Sequence, residues 1–230
     1  METLLLKVAL APGLVVGVTL AARRWGSRVG GMLIALPVVA GPILLVITLE
    51  HGEMFGARAA RGALLGVGAL SAFCVAFAAA APVIRWPGVL LIGWAAYVGV
   101  AACGSRWDAP PVAGLATALT ALLLARAFLR RAFLRREDKA AVRSGSLPPW
   151  DLYARAGSTA VLVILLTTVA GALGPAVSGV LTPFPIAASV VAAFTLAHDG
   201  PAAALATLRG FVAVLPGFAV FFFAVAAALG

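Results

Sequence analysis

RWGSRVGGMLIALP (24–37) returns 148 residues on as GALGPAVSGVLTPFP (171–185), with Gly26, Val29, Gly31, Leu33 and Pro37 falling on Gly174, Val177, Gly179, Leu181 and Pro185 without a gap. The same offset carries Gly52 onto Gly200, Arg61 onto Arg209 and Gly62 onto Gly210, and, read backwards, Lys7 onto Arg155 and Thr19 onto Thr167. In a chain built mostly of Ala, Leu, Val and Gly, apolar identities arise by chance, so the matched Pro, Gly and basic positions carry the weight. They indicate duplication of one unit.

The unit is a membrane unit. Of 230 residues, 63% are hydrophobic and 11% charged, and the mean hydropathy is +1.10, which excludes an ordinary globular surface. Long stretches carry no charge, and about 20 apolar residues cross a hydrocarbon core of about 30 Å as a helix. A transmembrane barrel would show short alternating segments instead. The reading is an all-α polytopic membrane protein. A net charge of +9 would suggest nucleic acid in a soluble chain. Here the basic residues gather at span edges and in one linker, as membrane topology demands, and no nucleic-acid partner is expected. Cys74 and Cys103 both fall inside spans, away from any CxxC spacing, so neither a disulfide framework nor a metal site is indicated. The N-terminus lacks a basic leader and is read as a retained first span.

Apolar runs and their breakers predict eight spans, at about 3–22, 29–49, 57–82, 87–104, 110–128, 152–173, 177–197 and 202–229. Residues 1–130 form an N-terminal membrane half, 131–150 a basic cytoplasmic linker, and 151–230 a C-terminal membrane half. Arg23, Arg24 and Arg28, together with the linker arginines, mark the cytoplasmic side, which puts both chain ends and the loop at Glu50–Glu53 outside. Spans one to three then match spans six to eight across an odd number of crossings. The two repeats run in opposite directions, an arrangement of 3 + 2 + 3 spans. Inverted-topology repeats are a construction of secondary transporters, because exchanging the conformations of the halves exchanges the open side.

Candidate site residues follow from the same pairing. Pro37 and Pro185 lie about eight residues into spans two and seven, near the bilayer centre, where a proline removes a donor and breaks the helix. Freed carbonyls at that depth must be buried or line a polar cavity; ordinary kinks packed by neighbours are the alternative. Thr182 and Ser189 offer hydroxyls nearby, although such groups often bond their own helix. Gly30, Gly31 and Gly179 are small residues suited to close helix approach. Arg61 and Arg209 lie a turn or two inside their spans with no acid within a helical turn, so they either contact an anionic substrate or snorkel to the interface. Lys7 would share the outer mouth with Arg61, and Arg155 the inner mouth with Arg209. His51, His198 and Asp199 sit in the matched loops TLEHGE (48–53) and TLAHDG (195–200), where they could gate or couple to protons or simply cap helix ends. The tandem RAFLRRAFLRREDKAAVR of the linker should lie against an anionic leaflet.

There is no HExxH, GxSxG or Walker loop, so neither an enzyme nor a cofactor is expected. The residues VSGVLTPFPIAASVVAAFTLAHDGPAAALATLRG (177–210), echoed in VGGMLIALPVVAGPILLVITLEHGEMFGARAARG (29–62), resemble the GlpM-like family of small bacterial inner-membrane proteins. The resemblance covers under half of the chain. It implies a tandem, two-repeat relative of a small multi-pass protein of the bacterial inner (plasma) membrane, and transfers no chemistry. The expected function is a secondary transporter or lipid flippase for an anionic substrate; the alternative is a non-transporting assembly factor for an envelope polysaccharide or lipid pathway. Expected partners are membrane lipids and an anionic small molecule or lipid headgroup, and a homo-oligomer is compatible with the sequence.

Overall fold

A computed structural model describes residues 2–34, 48, 52–107, 110–137, 150–173 and 184–229; within these, the side chains of 2–11, 134–137, 167 and 169–173 are not described. Seven helices make up the described regular structure: α1 (Glu2–Trp25), α2 (Ser27–Ile34), α3 (Glu53–Ala80), α4 (Trp86–Gly104), α5 (Pro111–Glu137), α6 (Trp150–Leu173) and α7 (Ile186–Leu229). Their boundaries fall where the chain loses helical options. Gly26 separates α1 from α2 at φ 91, and Pro87 and Pro111 occupy the first turns of α4 and α5, where the missing amide costs nothing. Gly52, ahead of α3, has φ 87 and ψ 165. Gly200 interrupts α7 with φ 85 and ψ −178. Both glycines lie in a left-handed region that side chains disfavour, and they are 148 residues apart, the offset of the sequence match. Pro201 then starts the second arm of α7.

Among the described residues, α3, α4, α7 and the Pro111–Phe133 part of α5 are long and apolar enough to cross a membrane. The chain is an all-helical membrane protein. One expectation needs correction. The segment after residue 128 continues α5 without a break to Glu137, because Ala, Leu and Arg are strong helix formers and the apolar stripe persists: Leu129 is fully buried in the core. The first residues of the expected linker therefore extend a span rather than lie along the surface.

The expected halves share one interior. Leu64, Phe73 and Phe77 of α3, Tyr97 of α4, Leu122 and Leu129 of α5, and Leu205, Leu208, Leu215 and Phe222 of α7 form a single buried cluster. Val15 and Val18 of α1 meet Val190 and Val191 of α7 in a second. α1 packs on α6 and α2, α2 packs chiefly on α7, and α3 packs on α4, α5 and α7. The α2–α7 contact is made by backbone. A Cβ on Gly31 would collide with the Thr207 carbonyl, and one on Gly210 with the Arg28 carbonyl, so this approach requires glycine on both sides. Thr19, Ser71, Thr159 and Thr207 donate to carbonyls of their own helices, which satisfies hydroxyls without a ligand.

The helix ends gather in two groups. The close of α1, the start of α4, the start of α6 and the break of α7 meet at one end. The starts of α3 and α5 and the close of α4 meet at the other. At 1.5 Å per residue, the 19 residues of α4 separate these ends by roughly 28 Å.

Candidate functional site

At the first end α6 opens on Trp150 and Asp151. An acid in a first turn suits the helix dipole, and Arg155 four residues on lies on the same face. Arg155 Nε donates to Asp151 Oδ2 at 2.9 Å, and Arg23 Nη2, arriving from α1, donates to the same oxygen at 2.9 Å. The Asp151 side chain is 0% exposed and that of Arg155 3%, against 33% for Arg23, so a solvent-reachable cation and a buried one share one acid. Burial raises the Asp151 pKa. The hydrogen bond and charge of Arg155, then the hydrogen bond from Arg23 and the charge of His198, outweigh it and hold the carboxyl below the ordinary aspartate range.

His198, at the break of α7, completes the cluster. Its Nδ1 lies 3.9 Å from Asp151 Oδ1, beyond hydrogen-bond reach, and both atoms are buried without a hydrogen-bond partner among the described residues. The imidazole is held by rings: Trp150 meets it edge-on at 5.8 Å and Phe194 stacks at 6.1 Å. Phe194 also receives the Arg155 guanidinium at 5.1 Å.

From His198 an apolar groove of about 580 Å³ runs between α4, α6 and the first arm of α7, lined by Trp86, Trp94, Trp150, Leu162, Phe194 and other residues. Ser189, buried in its wall, accepts a hydrogen bond from Trp94 Nε1 at 2.9 Å. Phe184 packs edge-on against Tyr97 at 5.2 Å and tilted on Trp94 at 5.6 Å. At the opposite end, Arg58, Arg61 and Arg106 line a smaller cavity of about 330 Å³ together with Leu64, Trp107 and Gly114.

The expected site residues are thus divided. Arg155, His198 and Asp199 lie together at the first end, with Ser189 in the adjoining groove, and Arg61 lies at the other end. Pro185 is buried and precedes α7, where its carbonyl accepts from the Ser189 amide at 2.8 Å; it starts the described helix rather than kinking it from within. Arg209 sits over the Phe133 ring of α5, with Cζ 4.1 Å from the centroid, while the charge of Arg155 is matched by Asp151. Pro37, Thr182 and His51, and the side chain of Lys7, lie outside the described residues. Sequence reasoning missed Asp151 as a site residue and took Arg23 only as a topology marker. The Asp151–Arg155 spacing of one helical turn was the available signal.

No family model, no curated protein and no solved structure matches this chain.

Proposed function

We propose that this membrane protein is a lipid flippase, a secondary carrier in a bacterial inner membrane that moves an anionic amphiphile by exchange between two inverted three-helix repeats. The observation that carries this reading is the apolar groove between α4, α6 and α7, which ends on His198 and, through it, on the Asp151–Arg155 pair. The hydrocarbon-lined groove lies end to end with a charged cluster in which Arg23 stays one-third exposed, at 33%, as an anionic amphiphile requires. A soluble anion alone would have no use for a groove so poor in polar atoms.

The inverted arrangement draws support from packing. If α1 corresponds to α6, and α2 and α3 to the two arms of α7, then α1 on α6 is a self-paired contact, and α2 on the second arm is the mate of α3 on the first. Contacts between α1 and α6, α2 and α7, and α3 and α7 all occur, and Ala188, Ala192 and Leu196 of the first arm share the core of α3. On this reading the GlpM-like resemblance makes the chain two such units joined in opposite orientation.

The test is reconstitution of the full chain into phosphatidylcholine vesicles carrying trace headgroup-labelled phosphatidylglycerol, followed by dithionite reduction from outside. Protein-free vesicles lose the outer-leaflet signal only; active vesicles should lose nearly all of it. Ala193→Trp, which fills the groove, should slow the loss. Unchanged lipid distribution in every arm would sink the flippase reading, and uptake of a labelled soluble anion in its place would favour a small-anion transporter. The assembly-factor reading is favoured by one feature, the basic helical extension of α5. Removal of residues 131–143 would then abolish function in cells while Arg61→Gln and Arg209→Gln leave it intact.

A further inference from the structure

We infer that Arg58, Arg61 and Arg106 form a binding site for a phosphate-class anion at the end of the bundle opposite the Asp151 cluster. The claim concerns binding, and it stands whether or not the chain moves lipid.

Arg58 and Arg61 are three residues apart on α3 and so share a face; Arg106 reaches the same cavity from the turn that closes α4. Three guanidinium groups line about 330 Å³, with no acidic residue in the lining among the described residues. Like charges brought together repel, and a cation drawn into a membrane protein is costly without a counter-charge. Arg61 shows the need most directly. Its Nε is buried and has no hydrogen-bond partner among the described residues, whereas the buried Arg155 at the other end is matched by Asp151. Arg58 is engaged only softly, donating from Nη2 to Met54 Sδ at 3.4 Å.

The cavity suits an oxyanion. Guanidinium groups donate in pairs to phosphate oxygens, and three of them supply more donors than the two oxygens of a carboxylate can use. The remaining lining includes Leu64, Leu65, Trp107 and Pro111, and Arg58 and Arg106 are exposed, so an anion can reach all three guanidinium groups from outside. Gly62 also lines the cavity, and among the described residues nothing lies within 4 Å of where its Cβ would stand. The volume falls in the range of small-ligand pockets. A soluble phosphate and a phospholipid headgroup present the same chemistry here, and Trp107 at the rim is a residue type that favours headgroup depth. Asp108, two residues beyond Arg106, lies outside the described residues and enters as a variant in the test.

The purified full chain in neutral detergent is titrated with inorganic phosphate, with dihexanoyl phosphatidylglycerol and with dihexanoyl phosphatidylcholine, and binding is read by calorimetry and by tryptophan fluorescence. Binding of phosphate identifies a soluble anion as sufficient; binding of the glycerol lipid alone identifies the headgroup; either supports the site if Arg61→Gln and Arg106→Gln each weaken it about tenfold or more. Trp107→Phe should remove most of the fluorescence change while leaving the calorimetric affinity near that of the parent. Arg61→Gln should leave the melting temperature unchanged or raise it, since a charge without a partner is removed. No binding of either anion, or binding indifferent to Arg61→Gln and Arg106→Gln, overturns the proposal. So does binding that occurs only in Asp108→Asn, which would make Asp108 the native counter-ion.

Discussion

The two ends of the bundle handle charge in opposite ways. At the first, two arginines and a histidine converge on one buried aspartate, and the buried cation, Arg155, has its counter-charge four residues away on its own helix. At the second, three arginines line a cavity with no acid in its wall among the described residues. Charge that is matched within the fold holds helices together, and here it ties α1 to α6 at the break of α7. The contrast separates cations whose charge is matched inside the fold from cations that line an open cavity, although both sets are basic and both lie near span ends.

The largest expected effect tests the matched end. Asp151→Asn leaves Arg155 buried without its counter-charge, which should cost about 3–5 kcal/mol, read as a lowered melting temperature in micelles. The parent should also lose stability in acid. The Asp151 pKa is depressed in the folded protein, so its contribution is present above the ordinary aspartate value of 3.8 and is lost as pH falls through the lower folded value. Asp151→Asn should flatten that acid limb. A variant as stable as the parent would break the comparison, because the first end would then not depend on its ion pair.

A middle-sized effect compares matched glycines. Gly210→Ala forces a methyl group into the Arg28 backbone and should cost about 1–3 kcal/mol. Gly62→Ala, at the corresponding position beside the arginine cavity, should stay within about 0.5 kcal/mol. Equal costs would remove the difference in packing between the two halves. The smallest effect sharpens the repeat itself: Gly52→Ala and Gly200→Ala place Cβ atoms at φ 87 and φ 85, and each should cost roughly 1–2 kcal/mol, by the same measurement. Similar penalties are expected if the two positions do the same job.

The helices were legible because their causes are local. Charge-free runs and the glycines at 52 and 200 each act within a few residues, and the small residues at 30 and 31 announced a close approach without naming its partner. Two things were hidden. The run RAFLRRAFLRRE is so basic that it read as a surface segment, yet its helix propensity and the buried Leu129 keep it in line with α5. The Asp151 cluster depends on partners 128 residues before it and 47 after it, so only tertiary packing could reveal that Arg23 and His198 approach the same acid as Arg155. The arginine cavity was half visible. Arg61 stood out as a cation inside a span, and Arg58 lies on its face three residues before it, but Arg106 joins them only because α3 and α4 pack side by side.

The contact between Gly31 and Gly210 bears on how the molecule could move. Helices that interlock through large side chains must climb over one another to shift, and they tend to occupy discrete registers. At Gly31 and Gly210 the fit is closer still, because each faces a backbone carbonyl that no Cβ could clear. A slide by one residue would bring a side chain onto that carbonyl, so this contact holds α2 in one register against the second arm of α7 and suits a pivot better than a sliding surface.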